Sequence, residues 1–335
     1  MARKRNMKQR KLEPAVQTFT FAVPDGTSTI DLSRCASLVN RRFYRQGINW
    51  VVAGFRFFKP GTAPGTGTGV SIGKLPNTWV MGNAWEKSFR HWQALNKRAV
   101  EAGESLPGRF TDFKIYMDDI HHGSRVGTVN TNLLPVDFDL NQADEGEWEY
   151  SKIVIPDDLA VGGSRTFEMF AVGASFPGAG SSGLNAVSLI EGYAASRALP
   201  SIVDPNTPAD SSDTAGGTPE NWLGAIDNEG TTQISNVIED LTTENNLAPY
   251  PFENSSLANV DTKYPGGANQ LPALQFVDGA YFSTAENSNK LYVKGDNFPC
   301  GLIRIVQNTG EQLTCAIDLV PGTHRGYLCE PMTEM

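Results

Sequence analysis

Two runs near the C-terminus, the first almost entirely apolar and the second alternating between apolar and polar residues, limit the possible folds more than any other feature of the chain. They are Leu302–Val306 and Leu313–Val320, and the turn sequence Asn308-Thr309-Gly310 separates them. Successive side chains of a β-strand point to opposite faces, so this alternation is typical of strands with one buried face. Two such runs around a short turn predict a β-hairpin, which closes with Pro321-Gly322 and a short last strand through Tyr327.

Similar patterns recur along the rest of the chain. Further strands are predicted at residues 16–23, 47–58, 109–117, 148–155 and 165–175. Helices are predicted at 83–102, where Trp85, Phe89 and Trp92 recur at helical spacing, near 184–198 and at 231–245. The strands are short, unevenly spaced and interrupted by Gly- and Pro-rich loops such as 60–73, and they do not alternate regularly with helices. The chain is therefore expected to be all-β, an antiparallel sandwich or barrel.

The first residues of the chain carry a charge opposite to that of the rest. The whole chain has 28 Lys and Arg against 37 Asp and Glu. Six of the cations lie within nine residues that contain no acid: Arg3, Lys4, Arg5, Lys8, Arg10 and Lys11. Such an arm has no apolar periodicity, so residues 1–14 are expected to be disordered until they bind. A basic arm on an acidic body usually binds a polyanion, and the alternative is a solvated tail without a role.

A second basic group follows the first predicted strand. It contains Arg34, Arg41, Arg42 and Arg45, with Arg56 further on and with Phe43, Tyr44 and Trp50 among them. These arginines are predicted to bind nucleic acid together with the arm, and the aromatic side chains to stack on bases without sequence preference. The alternative is that the group forms a solvated strand and loop face.

No pattern in the sequence points to catalysis, a metal or a cofactor. His121-His122 follows Asp118-Asp119, but adjacent residues of a strand face opposite sides and make a poor shared metal site. The acidic stretch 137–147 lacks the glycine and the final glutamate of a calcium loop, and Gly73-Lys74 lacks the rest of a phosphate loop. The four cysteines show no metal-site spacing and are expected to be free thiols, mostly buried, as in a reducing compartment. No apolar run has the length of a membrane helix.

Several short motifs resemble the capsid proteins of small circular Rep-encoding single-stranded DNA viruses. They are Phe298-Pro-Cys-Gly-Leu302, Asp318-Leu-Val-Pro-Gly-Thr-His-Arg-Gly-Tyr327, Tyr264-Pro-Gly-Gly267 and Tyr193-Ala-Ala-Ser-Arg197. The resemblance implies an antiparallel jelly-roll sandwich with helical and loop insertions over residues 15–335, in which the last strand (313–320) pairs with the first (16–23). Independently of the resemblance, Gly-, Ser- and Pro-rich loops alternate with two helical segments from residue 176 to about 290, which predicts a long loop-rich insertion, or a second small lobe, between β elements. In a coat protein this insertion is expected to face outward and contact the host. Many such coat proteins have longer Arg-rich arms than this chain.

The function implied by the resemblance is structural, not enzymatic. The protein is expected to self-assemble into an icosahedral shell as a homo-oligomer and to package a single-stranded DNA genome through its basic arm. The expected location is the virion, and the host nucleus during assembly. Two alternatives remain open: a double jelly-roll capsid protein, and a cellular β-sandwich module that binds nucleic acid or carbohydrate.

Overall fold

A computed structural model describes residues 14–59, 68–104, 106, 108–122, 132–137, 139–157, 163–175, 186–198, 274–282 and 289–335. The chain divides into two compact units, one of residues 1–192 with 253–335 and one of residues 193–252. Of the second unit the structure describes only residues 193–198, the end of one helix. The helix predicted at 231–245 lies outside the described residues.

Strands make up most of the regular structure of the first unit. In chain order the strands are β1 (Thr18–Val23), β2 (Gly26–Asp31), β3 (Ile48–Phe58), β4 (Gly69–Lys74), β5 (Lys152–Asp157), β6 (Gly163–Phe170), β7 (Ala186–Ser188), β8 (Gln275–Tyr281), β9 (Lys290–Lys294), β10 (Asn297–Phe298), β11 (Leu302–Gln307), β12 (Leu313–Leu319), β13 (Pro321–Gly322), β14 (Gly326–Tyr327) and β15 (Cys329–Pro331). The helices are α1 (Leu32–Asn40), α2 (Trp79–Ala102), α3 (Asp119–His122) and α4 (Leu189–Ala198), with short 3-10 turns at Pro299–Gly301 and Met332–Glu334.

Two antiparallel sheets contain most of these strands. The first sheet has the order β1-β12-β3. Along the edge of β3 that does not face β12, β3 pairs with β9 and β10. The short strand β15 also pairs with β3. The second sheet has the order β2-β11-β4-β8. One cluster of buried side chains from both sheets forms the core, including Phe21, Phe55, Ile303 and Ile317. Two sheets that bury one shared apolar core are consistent with a β-sandwich.

The strand pairs are nested in sequence, which means that each pair lies between the two strands of the preceding pair. β1 pairs with β12, β2 with β11, β3 with β9, and β4 with β8. The first strand thus lies beside the last long strand, with Thr18 opposite Asp318 and Val23 opposite Leu313, as predicted. Residues 75–274 form the connection between β4 and β8, and β8 itself lies within the range predicted as an insertion.

The predicted C-terminal hairpin is wrong. β11 and β12 follow each other in sequence but lie in different sheets, so they do not pair. The turn between them is stabilised by the buried Gln307 side chain, whose Oε1 accepts from Thr309 N at 2.9 Å and whose Nε2 donates to Glu311 O at 2.9 Å. Gly310 has a φ of 72° and donates its N–H to Asp25 Oδ1 at 2.9 Å. The apolar pattern of the two runs predicted both strands, but it carries no information about which strand each one pairs with.

The connection between β4 and β8 contains α2, α3, α4 and a small mixed sheet. The predicted helix at 83–102 is confirmed and begins earlier, at Trp79, where the Thr78 hydroxyl caps the first turn. Its buried Trp85 and Trp92 contact Phe113 in the connection, with ring centroids 5.9 and 5.5 Å apart. β5 and β6 are antiparallel, and β7 adds to β6 in parallel. The helix predicted near 184–198 begins only at Leu189, because β7 occupies the residues before it.

Two further predictions are corrected in the described part of the chain, and one helix was missed. Residues 109–117 are not a strand, since their backbone groups bond to scattered partners; Ile115 N, for example, donates to the Gln46 side chain at 2.6 Å. The end of the predicted loop 60–73 is strand β4. Helix α1 was not predicted, although Asp31 is a typical N-cap and Leu32, Cys35 and Ala36 have helical spacing.

The cysteines agree with the prediction of free thiols, with Cys35, Cys300 and Cys315 buried and Cys329 partly buried. Among the described residues, no helix has both the length and the apolar character needed to cross a membrane.

Candidate nucleic-acid interface

The turn between α1 and β3 carries three of the four arginines predicted in the folded part of the chain. Asp31 begins α1 by accepting hydrogen bonds from Ser33 N and Arg34 N at 3.0 and 3.2 Å. The helix ends at Arg41, whose φ of 53° and ψ of 37° are left-handed. This conformation turns the chain sharply, so that Arg41, Arg42 and Arg45 follow one another on an exposed turn before β3 begins.

An open cleft of about 830 Å³ lies over this turn. Five arginines from three separate segments line it: Arg41, Arg42, Arg45, Arg109 and Arg325. Phe43, Phe110 and His324 line it as well, and no described lining residue is acidic. We call this set the arginine cleft. Guanidinium groups bind phosphate with two parallel hydrogen bonds, so a concave surface with five of them is suited to a polyanion.

Arg45 is held in place by the segment after α2. Its guanidinium donates to Thr111 O, and it lies 3.6 Å from Asp112 Oδ1. Burial raises the pKa of the Asp112 carboxyl, while the hydrogen bond from Gln46 N and the Arg45 charge oppose this rise. Asp112 therefore offsets part of the Arg45 charge and orients its guanidinium.

Arg325 is held by the C-terminal turn between β13 and β14. Its side chain donates to Phe43 O, and its own carbonyl accepts from the Tyr44 hydroxyl at 3.0 Å. The backbone of Arg325 has a φ of 50°, an uncommon value for a residue with a Cβ. The contacts with Phe43 and Tyr44 fix this turn against the α1–β3 turn, so residues distant in sequence form one surface.

Exposed aromatic side chains lie among the cations. Phe110 is 62 % exposed and meets Phe43 edge to face, with ring centroids 5.3 Å apart. The Arg109 guanidinium lies 5.9 Å from the Phe110 ring, and that of Arg45 lies 5.4 Å from the Phe43 ring. Aromatic faces next to cations are the usual way to bind unpaired bases and their phosphates together.

Two of the three aromatic residues predicted to stack on bases do not reach this surface. Tyr44 and Trp50 are fully buried, and the Trp50 Nε1–H donates to Ser33 Oγ at 3.0 Å. Their rings pack on each other and on Tyr327 at centroid distances of 5.2 to 5.8 Å. These two residues therefore belong to the core, and only Phe43 remains at the cleft.

Arg34 lies beside the cleft and not in it. Its side chain donates to Glu145 O at 2.8 Å and lies 3.9 Å from Glu145 Oε2. It lines a neighbouring cavity of about 320 Å³ that also contains Lys114, whose amine lies 4.5 Å from the Trp148 ring centroid. Arg56 is further away on β3 and pairs with Asp318 at 2.7 Å. The predicted basic group is thus divided among three places.

The chain enters the described structure next to the arginine cleft. The six cations of the arm, Arg3 to Lys11, lie outside the described residues. Pro14 is the first described residue, and its carbonyl accepts from Arg42 Nη1 at 3.2 Å. Both backbone polar groups of Val16 are hydrogen-bonded. Its N–H donates to Asn40 Oδ1 at 3.0 Å, and its carbonyl accepts from the Tyr327 hydroxyl at 2.6 Å. The described part of the chain therefore begins beside the cleft.

Arg109, Phe110, His324 and Arg325 were missed by the sequence analysis as parts of a site. His324-Arg325 was visible only as a turn, and residues 109–117 were interpreted as a strand. The cleft brings together residues almost 300 positions apart, and no local spacing reveals such a set. The one available signal was compositional, since Arg109-Phe110 repeats the pairing of cation and aromatic seen at residues 41–45.

His121 and His122 take part in a structural network. His121 Nδ1 accepts from Met117 N at 2.8 Å and its Nε2 lies 3.2 Å from the Tyr150 hydroxyl. Burial lowers the pKa of His121, and the Arg304 charge adds to this effect. Asp118 pairs with Arg304, and His122 with Glu168. In the described part of the chain, no group of three or more His, Cys, Asp or Glu side chains is arranged to hold a metal ion.

Comparison with known proteins identifies no relative of this chain. No protein-family model, no curated protein and no solved structure matches it.

Proposed function

We propose that this chain is the subunit of a protein shell, a capsid protein that self-assembles and packages single-stranded DNA. The observation that carries the proposal is the arginine cleft, which lies on the β-sandwich where the basic arm joins it. The fold, the charge distribution and the exposed aromatic residues each support one part of it.

The strand pairing supports a jelly roll. In a jelly roll, a long antiparallel ribbon wraps into two sheets, so paired strands are nested from the chain ends inward. Here β1 to β4 pair in this nested way with β12, β11, β9 and β8. The strands before the long connection alternate between the sheets, with β1 and β3 in one and β2 and β4 in the other. The pairing of β1 with β12 brings the first described residues, from Pro14 onward, beside the cleft.

A single jelly roll is favoured over a double one. The sandwich uses strands before residue 75 and after residue 274, and the described residues between them contain one small three-stranded sheet. A double jelly roll needs a second set of about eight strands. In this proposal the range 176–290 carries loops that face outward and contact the host, apart from β8.

The arginine cleft and the arm supply the nucleic-acid binding. The six arm cations and the exposed cleft arginines neutralise phosphates and release counterions, a term that does not depend on base sequence. Phe110 and Phe43 offer faces for unpaired bases, which favours a single strand over a duplex. A packaging protein needs this kind of binding, strong and indifferent to sequence.

Self-assembly requires exposed apolar contacts, and the described surface contains several. Phe276 and Tyr281 on the edge strand β8 and Tyr292 on β9 are large and exposed. Exposed apolar groups on neighbouring strands are typical of subunit contacts. Repetition of these contacts with closed point-group symmetry then produces a shell of defined size. In this proposal the shell assembles in the host nucleus and forms the coat of the virion.

The test is the mass of the purified chain with and without single-stranded DNA, measured by light scattering after size exclusion and checked by electron microscopy. We expect closed particles of megadalton mass that protect bound DNA from nuclease. The second candidate function, a cellular module that binds nucleic acid through the same cleft, predicts a species near 36.4 kDa that binds DNA without forming particles. A monomer that does not bind DNA contradicts both.

A further inference from the structure

A buried lysine lies at the end of β4, away from the arginine cleft. The side chain of Lys74 is only 2 % exposed, and Lys74 pairs with Ile303 on β11 and with Gln275 on β8. Its Nζ lies 2.7 Å from Asp296 Oδ2 and 2.8 Å from Asn297 Oδ1. An amine, a carboxylate and a carboxamide are thus within hydrogen-bond distance inside a β-sandwich.

The three groups come from both sheets and are held rigidly. Lys74 belongs to the second sheet, whereas Asn297 lies in β10 and pairs with Val51 of the first sheet. Asp296 is fixed by its backbone and its side chain, because its carbonyl accepts from Val52 N at 2.9 Å and its Oδ1 accepts from Asn297 N at 2.8 Å. Gly295 packs so closely that a Cβ there would lie 2.0 Å from Val52 O. The side chains therefore meet in one fixed geometry.

We propose that Lys74 and Asn297 form an intramolecular isopeptide bond, with Asp296 as the catalytic base and acid. Asp296 Oδ2 accepts a proton from the Lys74 ammonium, and the neutral Nζ attacks Cγ of Asn297. A new C–N bond forms, Asp296 passes the proton that it holds to the leaving nitrogen, and the bond from Cγ to Nδ2 breaks, so that ammonia departs. The second proton lost by Nζ goes through Asp296 to solvent, which leaves a neutral amide and the Asp296 carboxylate. An amine and an amide become an amide and ammonia, so the reaction needs no oxidant, metal or other reactant.

The position of the three groups satisfies the requirements of this reaction. The Lys74 amine is held 2.8 Å from Oδ1 of the carboxamide whose carbon it would attack, and such proximity replaces a slow bimolecular step by a unimolecular one. A general base must lie within hydrogen-bond reach of the proton that it removes, and Asp296 does. Asp296 is 42 % exposed on its side chain, which gives the released ammonia a route to solvent.

The cross-link would join the two sheets at the base of the long connection. Residues 75–296 would become a covalently closed loop, and β4 would stay covalently linked to β10 even if the loop unfolded. A cross-link that closes so long a segment restricts the unfolded chain strongly. Such a bond suits a shell subunit, but the inference does not depend on the proposed function.

Intact-mass spectrometry of the purified full-length chain tests this inference. We expect the wild type to be lighter than its sequence by one ammonia, and Lys74→Arg and Asn297→Ala to have their full sequence masses. After digestion with trypsin, cleavage at Lys74 should be lost, and residues 57–87 should appear joined to residues 295–304. Asp296→Asn should retain the fold and accumulate as the unlinked chain.

A matched control is Lys59→Arg. Lys59 is also buried and lies 3.8 Å from Glu311, so this variant changes a comparable lysine elsewhere and should keep the mass loss. Circular dichroism shows whether each variant is folded. A folded wild type with the full sequence mass overturns the proposal. The same conclusion follows if the ammonia is lost in Lys74→Arg as well, or if no joined peptide is found.

Discussion

The arginine cleft makes a quantitative prediction about the salt dependence of DNA binding. The perturbation is the double variant Arg41→Gln with Arg109→Gln, which removes two exposed cations from the cleft. Arg45 and Arg325 are left unchanged because they also hold Thr111 and Phe43 in place. The variant should therefore fold like the wild type and lose only phosphate contacts.

The expected magnitude follows from counterion release. Each phosphate contact contributes about 0.7 to the slope of log K against log salt on a single strand, so two lost contacts lower the slope by about 1.4. At physiological salt this corresponds to binding that is about tenfold weaker. The assay is fluorescence anisotropy with a labelled single strand of mixed sequence at several salt concentrations.

The matched control removes the same charge elsewhere. Arg90 and Arg98 are exposed on α2, outside the cleft, and Arg90 pairs with Glu86. The variant with both changed to Gln should keep the wild-type slope, since its charges contact no phosphate. An unchanged slope in the cleft variant would refute the reasoning. An equal loss in both variants would show that net charge, and not the cleft, determines the affinity.

Three further predictions test other parts of the molecule. Deletion of residues 1–12 removes six cations and should lower the salt slope by up to about 4, measured by the same anisotropy assay, while particles still form. Trp92→Ala should cost about 3 kcal/mol of unfolding free energy in urea titrations, because Trp92 is buried against Phe113. Asp31 is fully buried and its pKa is raised by burial to about 6, so the folded state holds its proton more tightly than the unfolded chain. Protonated Asp31 should therefore contribute about 3 kcal/mol to the free energy of unfolding below pH 3.8, and this contribution should be lost as the pH rises through 6. The free energy of unfolding of Asp31→Asn should not show this pH dependence.

Each of these predictions has an outcome that contradicts it. A normal salt slope after deletion of the arm would exclude the arm from DNA binding. Normal stability of Trp92→Ala with failed assembly would indicate that the helix stripe is a subunit contact. If the wild type and Asp31→Asn show the same stability difference at pH 4 and pH 7, the Asp31 carboxyl is not perturbed in the folded protein.

The sequence by itself was sufficient for several of the long strands and for the charge distribution. Alternation over 16–23, 47–58 and 313–320 predicted β1, β3 and β12, because one buried face imposes a period of two whatever the partner strand is. The pairing of the first strand with the last long strand was also predicted, although through a family resemblance and not from the strands themselves. The placement of three predicted arginines on one surface followed from their closeness in sequence.

Only the tertiary structure decided how distant segments meet. β11 and β12 have the pattern of a hairpin, yet each is buried by neighbours in a different sheet, and alternation cannot distinguish these arrangements. Tyr44 and Trp50 resemble surface aromatics in sequence but complete the core between α1 and β3. Arg109 and Arg325 join the cleft, and Asp296 and Asn297 meet Lys74, through contacts across hundreds of residues. Local patterns report whether a face is buried, whereas the identity of the neighbour depends on how the whole chain closes on itself.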